Sequence, residues 1–158
     1  MKPQLIFVNI TFIKGTQMNI PNELVYTKTH EWVKKVNSKE VIMGITDFAQ
    51  QQLKDIVFVE LPSVGKELKM GKPCAVVESV KAAYDIYAPV SGMVVKINQK
   101  IQEKPQLVNE DPYGEGWFLH IEISNPIELN SLLSPDQYRV AVESEHWIDE
   151  FMFWISIE

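Results

Sequence analysis

Lys81 has the clearest chemical potential in the chain. It stands in "VVESVKAAYDIYAPVSG", residues 76–92, among small and apolar neighbours. A lysine that attacks a substrate needs burial or a nearby cation to depress its pKa. Val80, Ala82 and Ala83 provide neither. The flanking "AVVES" and "YDIYAPV" read as strands, so a tight hairpin carries Lys81 at its tip, clear of bulky or anionic side chains. An amine offered in this way suits modification by another enzyme. On composition alone the plainer reading is an ordinary solvated lysine.

The remaining candidates are weaker. Cys74 is the only cysteine, which excludes an intramolecular disulfide and a multi-thiolate zinc site, and its apolar neighbours make it a small core filler. His30 and His120 read as locally packed or bonded, and His146 lies on the C-terminal tail. No histidine pair has metal-ligand spacing within a helix, and no Ser/His/Asp arrangement suggests a triad. The acidic loop "NEDPYGEG" does not match a calcium loop, so Glu110, Asp111 and Glu115 read as surface carboxylates.

Many short strands position these groups. Trp32 and Val33 belong to one, Val41 to Ile45 to a second, and "IVFVELP" is a third, stopped by Pro62. "CAVVES", "YDIYAPV" and "MVVKIN" follow, the last two separated by a "PVSG" turn in which Pro89 and Gly92 are expected to supply the backbone. "WFLHIEIS" is a final alternating strand. Between them "TDFAQQQLKDI" changes to helical period, with Thr46 as cap and Phe48, Ala49 and Leu53 at helical spacing. "NQKIQEKPQLVNEDPYGEGW" is loop-rich. A weak echo between residues 74–80 and 93–108 suggests two similar halves. The pattern predicts a small, mainly β sandwich or barrel.

From Ser134-Pro135-Asp136 onward the chain reads as helix, with Trp147, Phe151 and Trp154 on one face. That face suits core packing, or docking on a partner, a second copy or a cleft. Three segments are expected: an N-terminal extension over 1–19, a domain over 20–139 and a helical tail over 140–158. The extension has a lysine and an apolar stretch, but Asn9 and Thr11 interrupt it and no small-residue cleavage site follows. Met18 therefore reads as the true start, and the absence of arginine disfavours a mitochondrial presequence.

With 158 residues the chain fits one domain. Its net charge of −6 offers no basic stripe for phosphates, which argues against nucleic acid. No apolar run reaches the length of a membrane span.

Several blocks together carry a more specific signal. "VESVKAAYD" followed by "PVSG", with "THEW" and "GITDFAQ" before them and "VNEDPYGEGW" after, closely resembles the H proteins of the glycine cleavage system. The likeness runs from about Pro21 to Tyr138. It implies a lipoyl/biotinyl-type barrel-sandwich hybrid with short flanking helices and a helical C-terminal segment. It also implies lipoic acid in amide linkage on Lys81, with Glu78, Ser79, Val80, Ala82 and Asp85 as the lipoylation recognition set. Biotin domains usually flank their lysine with methionines, whereas Val80 and Ala82 stand here, favouring lipoyl. Glycine decarboxylase, aminomethyltransferase and dihydrolipoyl dehydrogenase are the implied partners, with a lipoyl ligase or lipoyl synthase as modifying enzyme. On this reading the chain is a cytoplasmic carrier of the aminomethyl group of glycine, without catalysis of its own. The alternatives are an H-like lipoate donor or scaffold, and a lipoyl module of a 2-oxo-acid dehydrogenase complex, whose tip typically reads Asp-Lys-Ala.

The resemblance further implies that Thr29, Glu31 and Asp85 line a groove for the aminomethyl-bearing arm. The competing reading makes Glu31 a solvated strand residue and Trp32 the core anchor. The chain departs from the family pattern in three places. Leu53-Lys54-Asp55 replaces a common Leu-Gly-Asp, Pro73-Cys74-Ala75 replaces a stretch with glycine and phenylalanine, and Gln52 stands where some members have histidine. The first puts a glycine-dependent turn in question.

Overall fold

Alternation of β-branched and polar residues gives nine strands in the computed structural model, which describes residues 18–145. The proposed extension up to residue 17, His146 and the face of Trp147, Phe151 and Trp154 lie outside the described residues. Strands β1 (Val25–Tyr26), β2 (Glu31–Lys35) and β3 (Glu40–Ile45) form an antiparallel meander. Helix α1 (Asp47–Leu53) follows, capped by the Thr46 side chain, which accepts from the Ala49 N–H at 3.2 Å. Then come β4 (Ile56–Glu60), β5 (Glu67–Leu68), β6 (Pro73–Ser79), β7 (Ala83–Tyr87) and β8 (Gly92–Ile97). Two short helices, α2 (Gln99–Glu103) and α3 (Leu107–Glu110), lead into β9 (Leu119–Ile123). A 3-10 turn (Pro126–Ser131) precedes a helix over 135–145, called α4.

The strands make two sheets. One has six strands in the order β1-β2-β3-β9-β8-β5, the other three in the order β4-β6-β7. Neither closes on itself. They face one another across a shared core in which Val33, Met43 and Ile121 of the larger sheet meet Val59, Val77 and Ile86 of the smaller. A second cluster joins Tyr26, Trp32 and Phe48 to Tyr138 and Val142 of α4. No helix among the described residues is long and apolar enough to cross a membrane.

Three local expectations need correction. The stretch after β8 contains two helices, because Asn98 caps α2 with its carboxamide oxygen while its Nδ2 donates to Glu115 O and Trp117 O. Ile101 and Val108 anchor the two helices in the core, and Pro105 between them breaks the periodicity. The suggested internal echo does not extend to structure: β6 returns at once as β7, whereas β8 runs into α2. Gly92 serves close packing and not the turn, since a Cβ there would sit 2.1 Å from the Glu122 carbonyl oxygen on β9.

Candidate functional site

The β6–β7 hairpin ends in a short turn that its own serine organises. Glu78 pairs with Ala83 as the last rung of the ladder. Beyond it the Ser79 N–H donates to the Ala82 carbonyl at 2.9 Å. The buried Ser79 Oγ accepts from the Lys81 and Ala82 amides at 3.2 and 3.4 Å. The turn is also tied to the body of the protein, because the Val80 N–H donates to the Asp55 carbonyl at 3.3 Å. Lys81 is exposed at the apex, and among the described residues no carboxylate lies within ion-pair distance of it. Val80, Ala82, Glu78 and Asp85 are exposed around it.

The Asp55 anchor depends on an unusual backbone. Lys54 closes α1 with φ 62° and ψ −145°, a region that glycine occupies readily and other residues do not. The turn expected of a glycine is therefore made by lysine. Asn109 holds it, donating to the Lys54 carbonyl at 2.7 Å and accepting from the Ile56 N–H at 3.0 Å.

A second feature lies at the other end of β7. Glu31, the first residue of β2, is only 1% exposed. It points to the core side with Val33 and reaches across to the smaller sheet, accepting the Tyr87 N–H on Oε2 at 3.4 Å. Its Oε1 accepts the hydroxyls of Thr27 and Thr29 at 2.6 and 2.5 Å. The same turn is closed by the Thr27 N–H to the Glu31 carbonyl and by the Glu31 N–H to Thr27 Oγ1, both 3.0 Å. Burial pushes the Glu31 carboxyl up to about 7, against the opposing pull of its hydroxyl and amide donors. Among the described residues no lysine, arginine or histidine pairs with it. Glu31 is thus not a solvated strand residue; Trp32 beside it is a core anchor, its Nε1 donating to the Pro112 carbonyl at 2.9 Å.

An open, mainly apolar groove of about 200 Å³ adjoins this carboxyl. Thr27, Thr29, Met70, Gly71, Tyr87, Ala88 and Pro89 line it. The structure thus brings Thr29 and Glu31 together. It does not bring Asp85 to them: that carboxylate is exposed on β7 and makes no hydrogen bond to either among the described residues. Sequence reasoning missed Thr27 and Tyr87. The Thr-x-Thr-x-Glu spacing of 27, 29 and 31 was the available signal, but its meaning depends on the glutamate being buried. Cys74 is a buried core residue, its thiol pushed up to about 12 by burial and then by the Glu31 charge.

The chain that carries this exposed lysine and carboxyl-backed groove is similar along most of its length to known proteins. A family model described as glycine cleavage H-protein covers residues 24–145. The chain belongs to this family. The glycine cleavage system H protein of Carboxydothermus hydrogenoformans is 57% identical over 126 residues, covering 80% of this chain and 96% of that protein. That of Symbiobacterium thermophilum is 54% identical over 120 residues, covering 76% and 93%. A crystal structure of the H protein from Mycobacterium marinum superposes with a TM-score of 0.67 at 35% identity, covering 75% of this chain and 95% of that one. The H-protein architecture is mainly β, as observed here in two sheets.

Proposed function

We propose that the chain is the lipoyl carrier of the glycine cleavage system and that Lys81 is its point of attachment. The observation that carries the reading is the exposed Lys81 amine, without an ion-pair partner among the described residues, on a turn whose backbone is fixed from both sides. A modifying enzyme can approach such an amine without unfolding its substrate, and Glu78, Ser79, Val80, Ala82 and Asp85 form the surface it would read. The residues suit a lipoyl group, since an extended apolar arm starting at the tip can lie along β7 into the groove. From Ala83 to Tyr87 the strand advances four residues, roughly 13 Å.

The lipoyl group, when bound, supplies a disulfide that takes up the aminomethyl fragment of glycine as it is reduced. The chain's own residues then hold and shield the loaded end. An ammonium entering the groove meets the lone pairs of Thr27 Oγ1 and Thr29 Oγ1, with the Glu31 charge directly behind them. A cation there stabilises the ionised carboxyl, which burial otherwise disfavours. Met70, Ala88 and Pro89 keep water from the one-carbon unit.

On this reading the protein is a non-catalytic component that carries the group from glycine decarboxylase to aminomethyltransferase and is reoxidised by dihydrolipoyl dehydrogenase. A lipoyl ligase or lipoyl synthase loads it in the cytoplasm, a compartment supported by the bacterial relatives. Residues 1–19 are then an extension upstream of the carrier domain, and of the helical tail expected over 140–158, Val142 packs with Tyr138 in the second cluster.

Intact mass after co-expression with a lipoyl ligase tests the central assignment. Wild type should gain one lipoyl adduct and Lys81→Ala none; an unchanged wild-type mass overturns it. A glycine–bicarbonate exchange assay with the partner enzymes then separates a shuttle from a lipoate donor or scaffold.

A further inference from the structure

His30 lies between two of the residues that define the groove, and its side chain points away from it. Its backbone is left-handed, φ 74°, in a residue other than glycine. Two elements converge on it. From α4, the Tyr138 hydroxyl lies 2.8 Å from Nδ1, and Glu145 Oε2 lies 3.0 Å from Nε2. From α1, Phe48 packs at 4.7 Å between ring centroids, and the Thr46 N–H donates to the His30 carbonyl at 3.0 Å.

The hydrogens of this network follow from its ends. Glu145 accepts, so Nε2 carries a proton, and in the neutral imidazole that burial favours Nδ1 accepts from Tyr138. That hydroxyl in turn accepts from Thr46 Oγ1 at 2.7 Å, and Thr46 Oγ1 accepts from the Ala49 N–H. The chain of donors runs one way and matches a neutral imidazole, the form that burial of His30 favours although Glu145 opposes it. Tyr138 is fully buried and stacks on Tyr26 at 4.6 Å, so α4 is a rigid support for this network.

We infer that His30 is a positioning residue: α4, through Tyr138 and Glu145, holds it in its left-handed conformation and so sets the turn that aims Thr27, Thr29 and Glu31 at the groove. Without that restraint the turn relaxes toward ordinary backbone, the two threonine hydroxyls leave the carboxyl, and water reaches it. Helix α4 therefore governs how tightly the groove holds a cationic arm, although it contributes no atom to the groove. This deepens the proposed carrier function and rests on it for the ligand, but not for the geometry.

The test uses Tyr138→Phe, which keeps the ring stacking, and Glu145→Ala, which removes the acceptor at an exposed site. In the unlipoylated protein, side-chain carbon NMR should show Glu31 titrating lower than in wild type, because hydration relieves the larger effect, burial, and outweighs the loss of the threonine donors. In the loaded protein, release of the aminomethyl group should quicken roughly fivefold, the ordinary worth of one lost hydrogen bond. Lipoylation of Lys81, read by mass, should be unchanged, because the hairpin tip does not touch this network. A Glu31 titration identical to wild type in both variants overturns the inference. Absence of any lipoyl adduct on wild type would instead overturn the carrier reading, leaving the titration as a free-standing test.

Discussion

At the scale of single residues, the proposed function requires Glu31 to be ionised to hold a cation in a place where burial opposes ionisation. Its carboxyl is raised from 4.5 to about 7. That displacement makes the ionised group cost the fold on the order of 3 kcal/mol. The sign is set by where protons bind. Between about 4.5 and 7 the folded state holds more protons than the unfolded chain, so stability falls as pH rises, and above about 7 the penalty is complete. Glu31→Gln removes the charge and should therefore raise the unfolding midpoint at pH 8, the gain fading toward pH 4.5. Urea denaturation across that range checks it, and a gain that does not change with pH would contradict the burial argument. The same variant should lose the loaded arm faster, a stability-for-function exchange typical of binding sites. The buried state of Glu31 was not legible from sequence. A charged residue opening a strand reads as solvent-facing, and it is covered by the threonines of its own turn and by Tyr87 from the other sheet.

At the scale of elements, the hairpin was legible because two apolar strand patterns bracket a stretch of small residues and one lysine. Its support was not. The α1–β4 connection holds the tip through Asp55, and it does so with lysine at a φ and ψ suited to glycine. Lys54→Gly should relieve that strain and stabilise the protein by about 1 kcal/mol, with lipoylation of Lys81 unaffected. Denaturant midpoints give the first quantity and intact mass the second; destabilisation would mean that the Lys54 side chain contributes more than its backbone costs. Helices α2 and α3 escaped sequence reading because each is too short to show a period and Pro105 interrupts them. Their burial of Ile101 and Val108 is a tertiary fact.

At the scale of the whole molecule, the two sheets share one core, so tip, groove and α4 are parts of a single body. β7 runs between the two features, its first residues at the Lys81 tip and its last at Glu31. Disturbing one sheet should therefore lower the stability of both ends together. Gly92→Ala puts a methyl against the Glu122 carbonyl and should force β8 from β9, at a cost of about 2 kcal/mol or more. A single unfolding transition is expected, seen equally by tryptophan fluorescence and by exchange of the hairpin amides. Separate transitions would show that the sheets are independent.

The linear order of residues was enough to announce a β-rich fold with one lysine on a hairpin, because strand periodicity and turn residues are local, while the carrier role came from the resemblance of several blocks to the H proteins. It could not announce a carboxyl buried behind two threonine hydroxyls, nor a histidine braced by a helix 108 positions away. Those properties belong to contacts between distant segments. Whether a charged or strained residue is tolerated depends on what the folded chain brings against it, and that is decided only when the sheets and α4 close together.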